Sequence, residues 1–575
     1  MSLRIVRRAV PAIGGEFGRD LHPVLQRVYA ARGIASAEAL ALSLDRLLPV
    51  GTLEGVQAAA ELLLEQRRTG GLVLVIGDYD ADGATSTALV VRALRAWGFA
   101  AVDFLVPNRF EYGYGLTPEI VALAAQRRPT LIVTVDNGTS SVDGVAAARA
   151  QGIAVLVTDH HLPGAGLPPA NVIVNPNLAG AAFASHALAG VGVAFYVMAA
   201  LRRRLEAAGL LTAGVPAVTD FLDLVALGTV ADVVPLDMNN RVLVSQGLRR
   251  VRAGRCVPGI AALVEIAGRA RSELTADDLG FAVGPRLNAA GRLDDMSIGI
   301  RCLLADDPGE ARALAARLDQ LNQERRDIEE RMQGEALAAV RRLQDPGAGA
   351  EQRCGVSLFD PAWHQGVVGL VASRVKDRLH RPVVAFAEAG AGRLRGSARS
   401  VAGVHIRDTL EALATCEPDL IERFGGHAMA AGLTLEAGKL ERFAQAFDAE
   451  VNRRLAPAAR VRRVETDGEL TLEELTLDTA QALRDGGPWG QAFPEPCFDG
   501  MFTVRRSRVV GTRHVKMWVE PASSGRSFDA IAFNYLDGGG ADIPAGRRRL
   551  VYRLGINRYQ GERRLQMFVD HVLDA

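Results

Sequence analysis

Two carboxylates one residue apart, Asp80 and Asp82, follow an apolar run in Leu72-Val73-Leu74-Val75-Ile76-Gly77-Asp78-Tyr79-Asp80-Ala81-Asp82-Gly83. Three acids this close repel one another, and at the end of a buried strand they need a cation to compensate them. Metal binding is therefore the first chemistry to consider. The construction recurs twice: Leu131-Ile132-Val133-Thr134-Val135 runs into Asp136-Asn137-Gly138, and Ile153-Ala154-Val155-Leu156-Val157-Thr158 runs into Asp159-His160-His161. A fourth acid, Asp232, stands in Gly228-Thr229-Val230-Ala231-Asp232-Val233-Val234 after an apolar helical stretch.

Asp80, Asp82, Asp136, Asp232 and His160 make a mixed oxygen and nitrogen set suited to Mn²⁺ and, less specifically, to Mg²⁺. Such a set exceeds what one catalytic ion needs once water and substrate bind, so two ions are expected. Two ions about 3.5–4 Å apart that share a carboxylate generate hydroxide near neutral pH and stabilise both oxygens of an in-line phosphoryl displacement. Asp136, alone at the end of a central strand, is the candidate bridge. With His160 on metal, His161 is free to contact a substrate phosphate, and Asp159 can orient an imidazole from behind. A lone D-x-D at a strand end is more often a turn than a ligand pair. Three such loops at successive strand ends, joined by a fourth acid, argue instead for a metal-dependent hydrolase.

The elements that must position these residues follow from the hydrophobic pattern. Strands at 72–76, 102–106, 131–135 and 153–157 alternate with Ala-rich helical stretches at 84–97 and 117–126, which predicts βαβ units, a parallel sheet and a site at the carboxyl ends of its strands. Residues 1–70 read as a helical lead-in packed on this domain, with helices at 24–31 and 53–68, and the domain itself spans 71–305. Between Asp307-Pro308 and Asp345-Pro346 the chain has no proline and carries Leu314, Leu318, Leu321, Ile328, Met332, Leu337 and Val340 at helical spacing. Segment 306–346 is thus either one connecting helix of about 50 Å or two helices broken near Gly334. After Gly347-Ala348-Gly349-Ala350 a smaller α/β domain spans 347–455, with a strand at Val383-Val384-Ala385-Phe386 and Gly-rich turns at Gly396-Ser397-Ala398-Arg399-Ser400 and Phe424-Gly425-Gly426-His427. Residues 456–575 show short strand-like runs at 500–510, 516–519, 530–534, 550–554 and 566–569, the pattern of a small β-barrel.

At 575 residues the chain is too long for one core, on a prior of roughly 150 residues per domain. Its 49% hydrophobic and 23% charged residues are those of a soluble globular protein. No run approaches the ~18 apolar residues a membrane span needs, and no secretory leader pattern is present, so a cytoplasmic location is expected. Cys256, Cys302, Cys354, Cys416 and Cys497 lie far apart without a C-x-x-C, which argues against a zinc site or a disulfide framework and for small core residues. A net charge of zero gives no global attraction to a polyanion. From Gly500 to Ala575, however, thirteen Arg or Lys face seven Asp or Glu, an excess that reads either as a solvated basic face or as a binding surface.

The motifs Asp78–Gly83, Val135–Gly138, Asp159–His161 and Gly228–Asp232 resemble, in order, the four motifs of the DHH phosphoesterases. Pro107-Asn108-Arg109, Glu111-Tyr112-Gly113-Tyr114-Gly115, Pro285-Arg286-Leu287-Asn288-Ala289-Ala290-Gly291-Arg292, Trp363-His364-Gln365-Gly366 and Gly425-Gly426-His427 narrow the resemblance to that family's single-strand-specific 5′→3′ DNA exonucleases. The resemblance implies a DHH catalytic domain, a DHHA1 domain that closes over the strand, and a C-terminal OB fold whose basic excess suits a groove tracking single-stranded DNA. Tyr535, Tyr552, Tyr559, Trp518 and Phe528 are available there for base stacking, although a five-stranded barrel takes most of them into its core.

It further implies that Ser397, Arg399 and His427 face the metals across a cleft, and that Arg109, Arg286, Asn288 and His161 contact substrate, with Arg109 and Arg286 in polar loops. Such a phosphate pocket beside a narrow channel can select a 5′ end and exclude duplex. Many DHH enzymes carry a histidine four residues before the first motif aspartate, where this chain has Ile76; Asp78 is the candidate replacement ligand. The implied setting is recombination and mismatch repair, beside single-strand-binding protein and a helicase, as a monomer with no membrane partner. Two rivals stand beside this reading. A DHH phosphodiesterase for oligoribonucleotides or other small phosphoesters would need no basic C-terminal domain. A catalytically inactive DNA-binding scaffold would have lost acids that this chain retains.

Overall fold

The apolar run at 72–77 forms strand β1 (Leu72–Gly77), whose alternation decides what lies on each side of the first sheet. Leu74 and Ile76 enter one apolar cluster with Ile132, Val155 and Val157, while Val73 and Val75 enter another with Val133 and Leu156. Burial on both faces belongs to a parallel sheet sandwiched between helices. In the computed structural model, β1 is joined by β2 (Ala101–Leu105), β3 (Leu131–Val135), β4 (Ala154–Thr158) and β5 (Val172–Val174) in the order β2-β1-β3-β4-β5, every pair parallel. The chain leaves β1 toward opposite sides for β2 and β3, so the crevice beyond their carboxyl ends is a topological switch point, where open α/β sheets bind ligands. The structure describes residues 3–11, 17, 21–108, 112, 114–164, 166–343, 353–456, 461–522, 524–536, 543–559 and 561–575.

Helices α1 (Ala81–Ala96), α2 (Gly190–Ala207), α3 (Leu222–Ala231), α4 (Met238–Arg252) and α5 (Gly284–Leu293) complete the part of this lobe that builds the site. The connector is one unbroken helix, α6 (Pro308–Leu343), of 36 residues, with no break at Gly334. Its first half buries Ala311, Ala315, Leu318 and Leu321 in the first lobe's core, and its second half buries Met332, Ala336 and Val340 in the second lobe's core. The heptad-like apolar pattern thus serves two different partners along one rod.

The second lobe holds β6 (Val356–Phe359), α7 (Val368–Leu379), β7 (Val383–Glu388), β8 (Arg393–Arg399), β9 (Arg423–Gly426) and β10 (Ala430–Glu436), with sheet order β9-β10-β8-β7-β6. The expected Gly-rich turns at 396–399 and 424–426 are corrected here: both lie in strands. The reason is a period-two alternation in which Leu394, Gly396 and Ala398 turn inward while Arg395, Ser397 and Arg399 stay half-buried on the other face. The linker glycines at 347 and 349 lie outside the described residues.

The C-terminal strands β11 (Phe498–Val510), β12 (His514–Pro521), β13 (Phe528–Ala532), β14 (Gly546–Tyr559) and β15 (Glu562–Asp574) close into a barrel in the order β11-β12-β13-β15-β14. The long strands exceed the expected runs because charged residues continue the ladders past the apolar alternation. The first residues also depart from a purely helical lead-in. Leu3–Arg7 is a strand paired in parallel with Arg462–Thr466, and Arg7 is bonded to Asp499 of the barrel. Helices Pro23–Ala30 and Val56–Thr69 do form. Tyr29 packs on Trp489 and Phe493, which ties the lead-in to the C-terminal part. Among the described residues no single helix is long and apolar enough to cross a membrane. The cysteines are free; Cys302 and Cys354 are buried, whereas Cys416 is exposed rather than in a core.

Candidate metal centre and substrate cleft

Asp80 ends the loop after β1 and caps α1, its Oδ1 accepting the Gly83 N–H at 2.9 Å. One residue on, Asp82 is buried and accepts the N–H groups of Gly190 and Val191, at 2.6 and 2.9 Å, at the start of α2. Asp136 follows β3 with a left-handed backbone, φ 61°, a conformation aspartate tolerates better than most residues. Asn137 holds that turn by donating its side-chain amide to the carbonyls of Ile76 and Val135. Asp232 is the C-cap of α3. Three sets of potential ligand atoms gather within 4.8 Å: Asp78, Asp80 and Asp136; Asp82, His160 and Asp232; and Asp136, His160 and His161. Every sequence-derived ligand candidate is in one of them. Ile76 is fully buried in the sheet's apolar cluster, and Asp78 stands with Asp80 and Asp136.

The donor set fits a divalent cation. Among the described residues, Asp136 Oδ1 and His160 Nε2 are buried without a hydrogen-bond partner although they lie 3.1 Å apart, and Asp232 Oδ2 is 3.5 Å from the same imidazole nitrogen. Buried polar atoms left unpaired are rare and costly, so lone pairs converging on one point mark a missing positive centre. The protonation behaviour agrees. Burial, reinforced by the charge of Asp80, pushes the Asp82 carboxyl up to about 7 against the pull of the two helix N–H groups. Burial and the neighbouring acids also push Asp136 and Asp232 well above the carboxylate range. Burial, then the charge of His161, holds His160 down to about 4, a neutral imidazole of the kind that ligates metal.

Asp159 is not in these sets but organises them. Its Oδ1 accepts the N–H groups of His160 and His161 and lies 2.8 Å from His161 Nδ1, while Oδ2 accepts the Thr139 N–H. Burial opposes ionisation of Asp159, yet the hydrogen bond and charge of His161 bring it down to about 2. His161 goes the other way: burial disfavours its charge, but Asp159 raises it to about 8. Residues the motif reading left without a role brace the pair. Asn175 and Asn177 donate to the carbonyls of His161 and His160, and the Tyr114 hydroxyl lies 3.0 Å from His161 Nδ1 and 3.3 Å from the Asp136 carbonyl. The ring edge of Tyr114 is open, but enclosure of its hydroxyl among Asp159, Asp78 and Asp136 keeps the phenol protonated. Only the Tyr112–Tyr114 motif and the polar 175–177 turn hinted at these partners.

The second lobe meets this centre directly. His427 stacks on His161 with ring centroids 5.8 Å apart. Ser397 and Arg399 project from β8, with Arg399 Nη1 3.0 Å from Ser397 Oγ. The second residue of α7, Gly369, comes so close that an added Cβ would lie 2.9 Å from both Arg399 Nη2 and Ser397 Oγ. A helix N-terminus, a guanidinium and a hydroxyl converging at one place is an anion-binding arrangement. Helix α5 joins the two lobes. Asn288 Oδ1 accepts the Ala81 N–H at 2.8 Å, Gly291 packs on the Tyr79 carbonyl, and Arg292 donates to the Gly366 carbonyl. Asn288 therefore positions the metal loop. The expected polar loop for Arg286 is corrected: it lies on α5, buried, with its guanidinium bonded to Asp319 and the Ala282 carbonyl, which makes it a brace to α6. Arg109 lies outside the described residues.

Beside Asp232, Val233 and Phe281 are 64% and 78% exposed. Phe281 sits on a π-helical turn, Leu279–Val283, that packs on Val230 through Gly280. In the barrel, Tyr552 and Phe528 belong to the core, whereas Trp518 is half-buried under Arg506, whose guanidinium carbon is 3.8 Å from the ring centroid. Lys516 and Arg508 flank the same ring. Much of the basic excess is neutralised, for example Arg505 by Glu520 and Arg553 by Asp570 and Glu495. Arg506 and Arg508 have no ion pair among the described residues. The Tyr559 side chain is outside them.

Comparison with known proteins agrees with this architecture at every level. Residues 72–229 match the DHH family, N-terminal domain, residues 351–453 the DHHA1 domain and residues 466–571 the RecJ OB domain. The chain is 53% identical over 577 residues to the single-stranded-DNA-specific exonuclease RecJ of Salmonella typhimurium, covering 99% of each chain. Among solved structures it resembles RecJ from Thermus thermophilus in complex with Mn²⁺, with a TM-score of 0.82 at 30% identity, covering 100% of this chain and 80% of that one. The Mg²⁺ complex of the same Thermus protein matches with a TM-score of 0.77 at 29% identity, covering 100% of this chain and 78% of that one. With identity this high over the full length and all three domains present in order, the chain belongs to the RecJ family of single-stranded-DNA-specific exonucleases.

Proposed function

We propose that this single-stranded-DNA-specific exonuclease removes mononucleotides from the 5′ end of a strand, with Asp78, Asp80, Asp82, Asp136, His160 and Asp232 holding two Mn²⁺ or Mg²⁺ ions. The observation that carries the metal assignment is the unpaired Asp136 Oδ1 facing the unpaired His160 Nε2 at 3.1 Å. Bound there, the ions supply a nucleophile at neutral pH and charge stabilisation for the displaced oxygen. Asp136, a member of two of the ligand sets, would be the carboxylate the two ions share. His161, its Nδ1 committed to Asp159, presents its other face to the scissile phosphate together with the Tyr114 hydroxyl. Asn288 keeps the Asp80 loop in place by capping Ala81.

Polarity comes from the second lobe. Ser397, Arg399 and the start of α7 form a terminal-phosphate pocket, brought to the metals by the contact between His427 and His161, and that pocket accepts a 5′ phosphate. Arg399→Ala is expected to slow removal of the first nucleotide from a 5′-phosphorylated strand by about tenfold or more, the worth of a bidentate guanidinium contact, while a 5′-hydroxyl strand is affected little. Single-turnover assays on the two strands check this. Phe281 and Val233, continuous with the ligand Asp232, offer a face on which a base of the incoming strand stacks. Phe281→Ala should weaken binding of single-stranded DNA roughly tenfold, within the range of one aromatic–base stack, without changing the rate on a bound strand. Trp518 with Arg506 and Arg508 serves the strand further from the centre.

Family membership supports work in recombination and repair beside single-strand-binding protein and a helicase, in the cytoplasm. A cleft drawn entirely from one chain supports a monomer. Digestion of one strand labelled at its 5′ end and, in parallel, at its 3′ end tests the reading. Immediate release of 5′-labelled mononucleotide with progressive shortening of the 3′-labelled strand is expected. Release of the 3′ label first would reverse the polarity, and hydrolysis of dinucleotides alone would move the assignment to the small-substrate branch of DHH enzymes.

A further inference from the structure

Away from the cleft, one face of α4 lines a cavity of about 730 Å³ whose opposite walls include the 486–489 loop and the middle of β14. None of its lining residues belongs to the metal-binding sets. Arg241 lies on that face and is 4% exposed, yet among the described residues its side chain makes no ion pair and no hydrogen bond, and its Nε is buried without a partner. Its guanidinium carbon lies 4.0 Å from the ring centroid of Phe493. Burial holds Arg241 below the usual arginine range, with Tyr29 acting against it. A cation withdrawn from water without a counter-charge is unfavourable, and an aromatic face offsets only part of that cost. The cavity is the space this side chain borders, so an anion bound there would supply its counter-charge.

The rest of the lining says what kind of anion. Ser245, one turn along α4, presents a hydroxyl, and Arg249 adds an exposed cation without an ion pair among the described residues. Acids of the wall have cations of their own: Glu495 is paired with Arg553, Glu273 with Arg484 and Arg558, and Asp278 with Arg269. Arg241 and Arg249 thus remain as lining cations for an anion. Its volume falls within the roughly 300–1,000 Å³ of small-molecule sites and far exceeds a bare phosphate. We propose that this cavity binds a nucleoside monophosphate, its phosphate on the Arg241 fork beside Ser245 and its base in the remaining space, which Trp489 and Phe568 also line. Guanidinium matches phosphate through paired N–H donors, and aromatic faces match a base. The site stands on its own residues, and exonuclease action supplies such a ligand as its product.

Calorimetric titration of the full-length Arg399→Met chain, in which the terminal-phosphate pocket is weakened, with dAMP tests this. One saturable site is expected, weakened about tenfold or more by adding Arg241→Met. Arg241→Lys keeps the charge and the aromatic contact but loses the fork, so it should weaken dAMP as well and serves if the methionine variant does not fold. Unchanged dAMP affinity in either Arg241 variant, or no binding to the Arg399→Met chain, overturns the site. Inorganic phosphate binding as tightly as dAMP overturns the nucleotide assignment.

Discussion

Asp136→Ala is expected to all but abolish nucleotide release, lowering the turnover rate by roughly 10³-fold or more, the scale seen when a central member of a cooperating catalytic set is removed. The size follows from position: Asp136 belongs to two of the three ligand sets and is the atom source nearest His160. Single-strand binding should persist, because Arg399, Phe281 and Trp518 are carried by other elements. Stability should change little. Removing one of five crowded acids relieves repulsion, since burial and four neighbouring carboxyls already push Asp136 well above the normal range. Against this, alanine loses about 1 kcal/mol or more in the left-handed backbone at φ 61°. Asp136→Asn avoids that backbone cost, so both variants should share the loss of turnover while the asparagine form melts at the higher temperature. Strand degradation at wild-type rate by either one contradicts the bridging role.

The second large effect lies outside the ligands. An added Cβ at Gly291 would lie 1.8 Å from the Tyr79 carbonyl oxygen, a backbone atom that cannot rotate aside. Gly291→Ala must therefore move α5 away from the loop that carries Asp78 and Asp80, and with it the Asn288 cap on Ala81. Displacements of about 1 Å cost catalytic sites on the order of 10²-fold, and overpacking of this kind costs about 1–3 kcal/mol of stability. We expect exonuclease activity down by about 10²-fold at saturating Mn²⁺ together with a lowered melting temperature. Since α5 also touches Gly366 in the second lobe, the same change should loosen lobe closure and raise KM. Full activity in Gly291→Ala would show that this helix does not position the metal loop.

The candidate ligand set is legible in the sequence because chemistry and periodicity coincide: acids and imidazoles stand directly after β-branched runs, and a parallel sheet puts such positions on one edge. The connecting helix is legible in part: its only proline, Pro308, stands at its first position, but sequence alone left a break near Gly334 open, and only packing against both lobes keeps the helix continuous. Other features need three dimensions. Gly396 looks like a turn residue in one dimension, yet flanking Leu394 and Ala398 draw it into a strand. Arg286 reads as a phosphate contact in a polar motif, but its partner Asp319 is thirty-three residues away on another helix. Tyr114 and Asn175 gain their roles through contacts with His161 that no local pattern encodes. The strand at Leu3–Arg7 is fixed by pairing with Arg462–Thr466, a partner no nearby residue announces.

The central claim is a two-ion centre bridged by Asp136, and anomalous scattering from crystals of the full chain grown with Mn²⁺ tests it most directly. Two manganese peaks are predicted, one on the side of Asp78 and Asp80 and the other on the side of Asp82, His160 and Asp232, both ligated by Asp136. A single peak, or a pair that leaves Asp136 uncoordinated, contradicts the account.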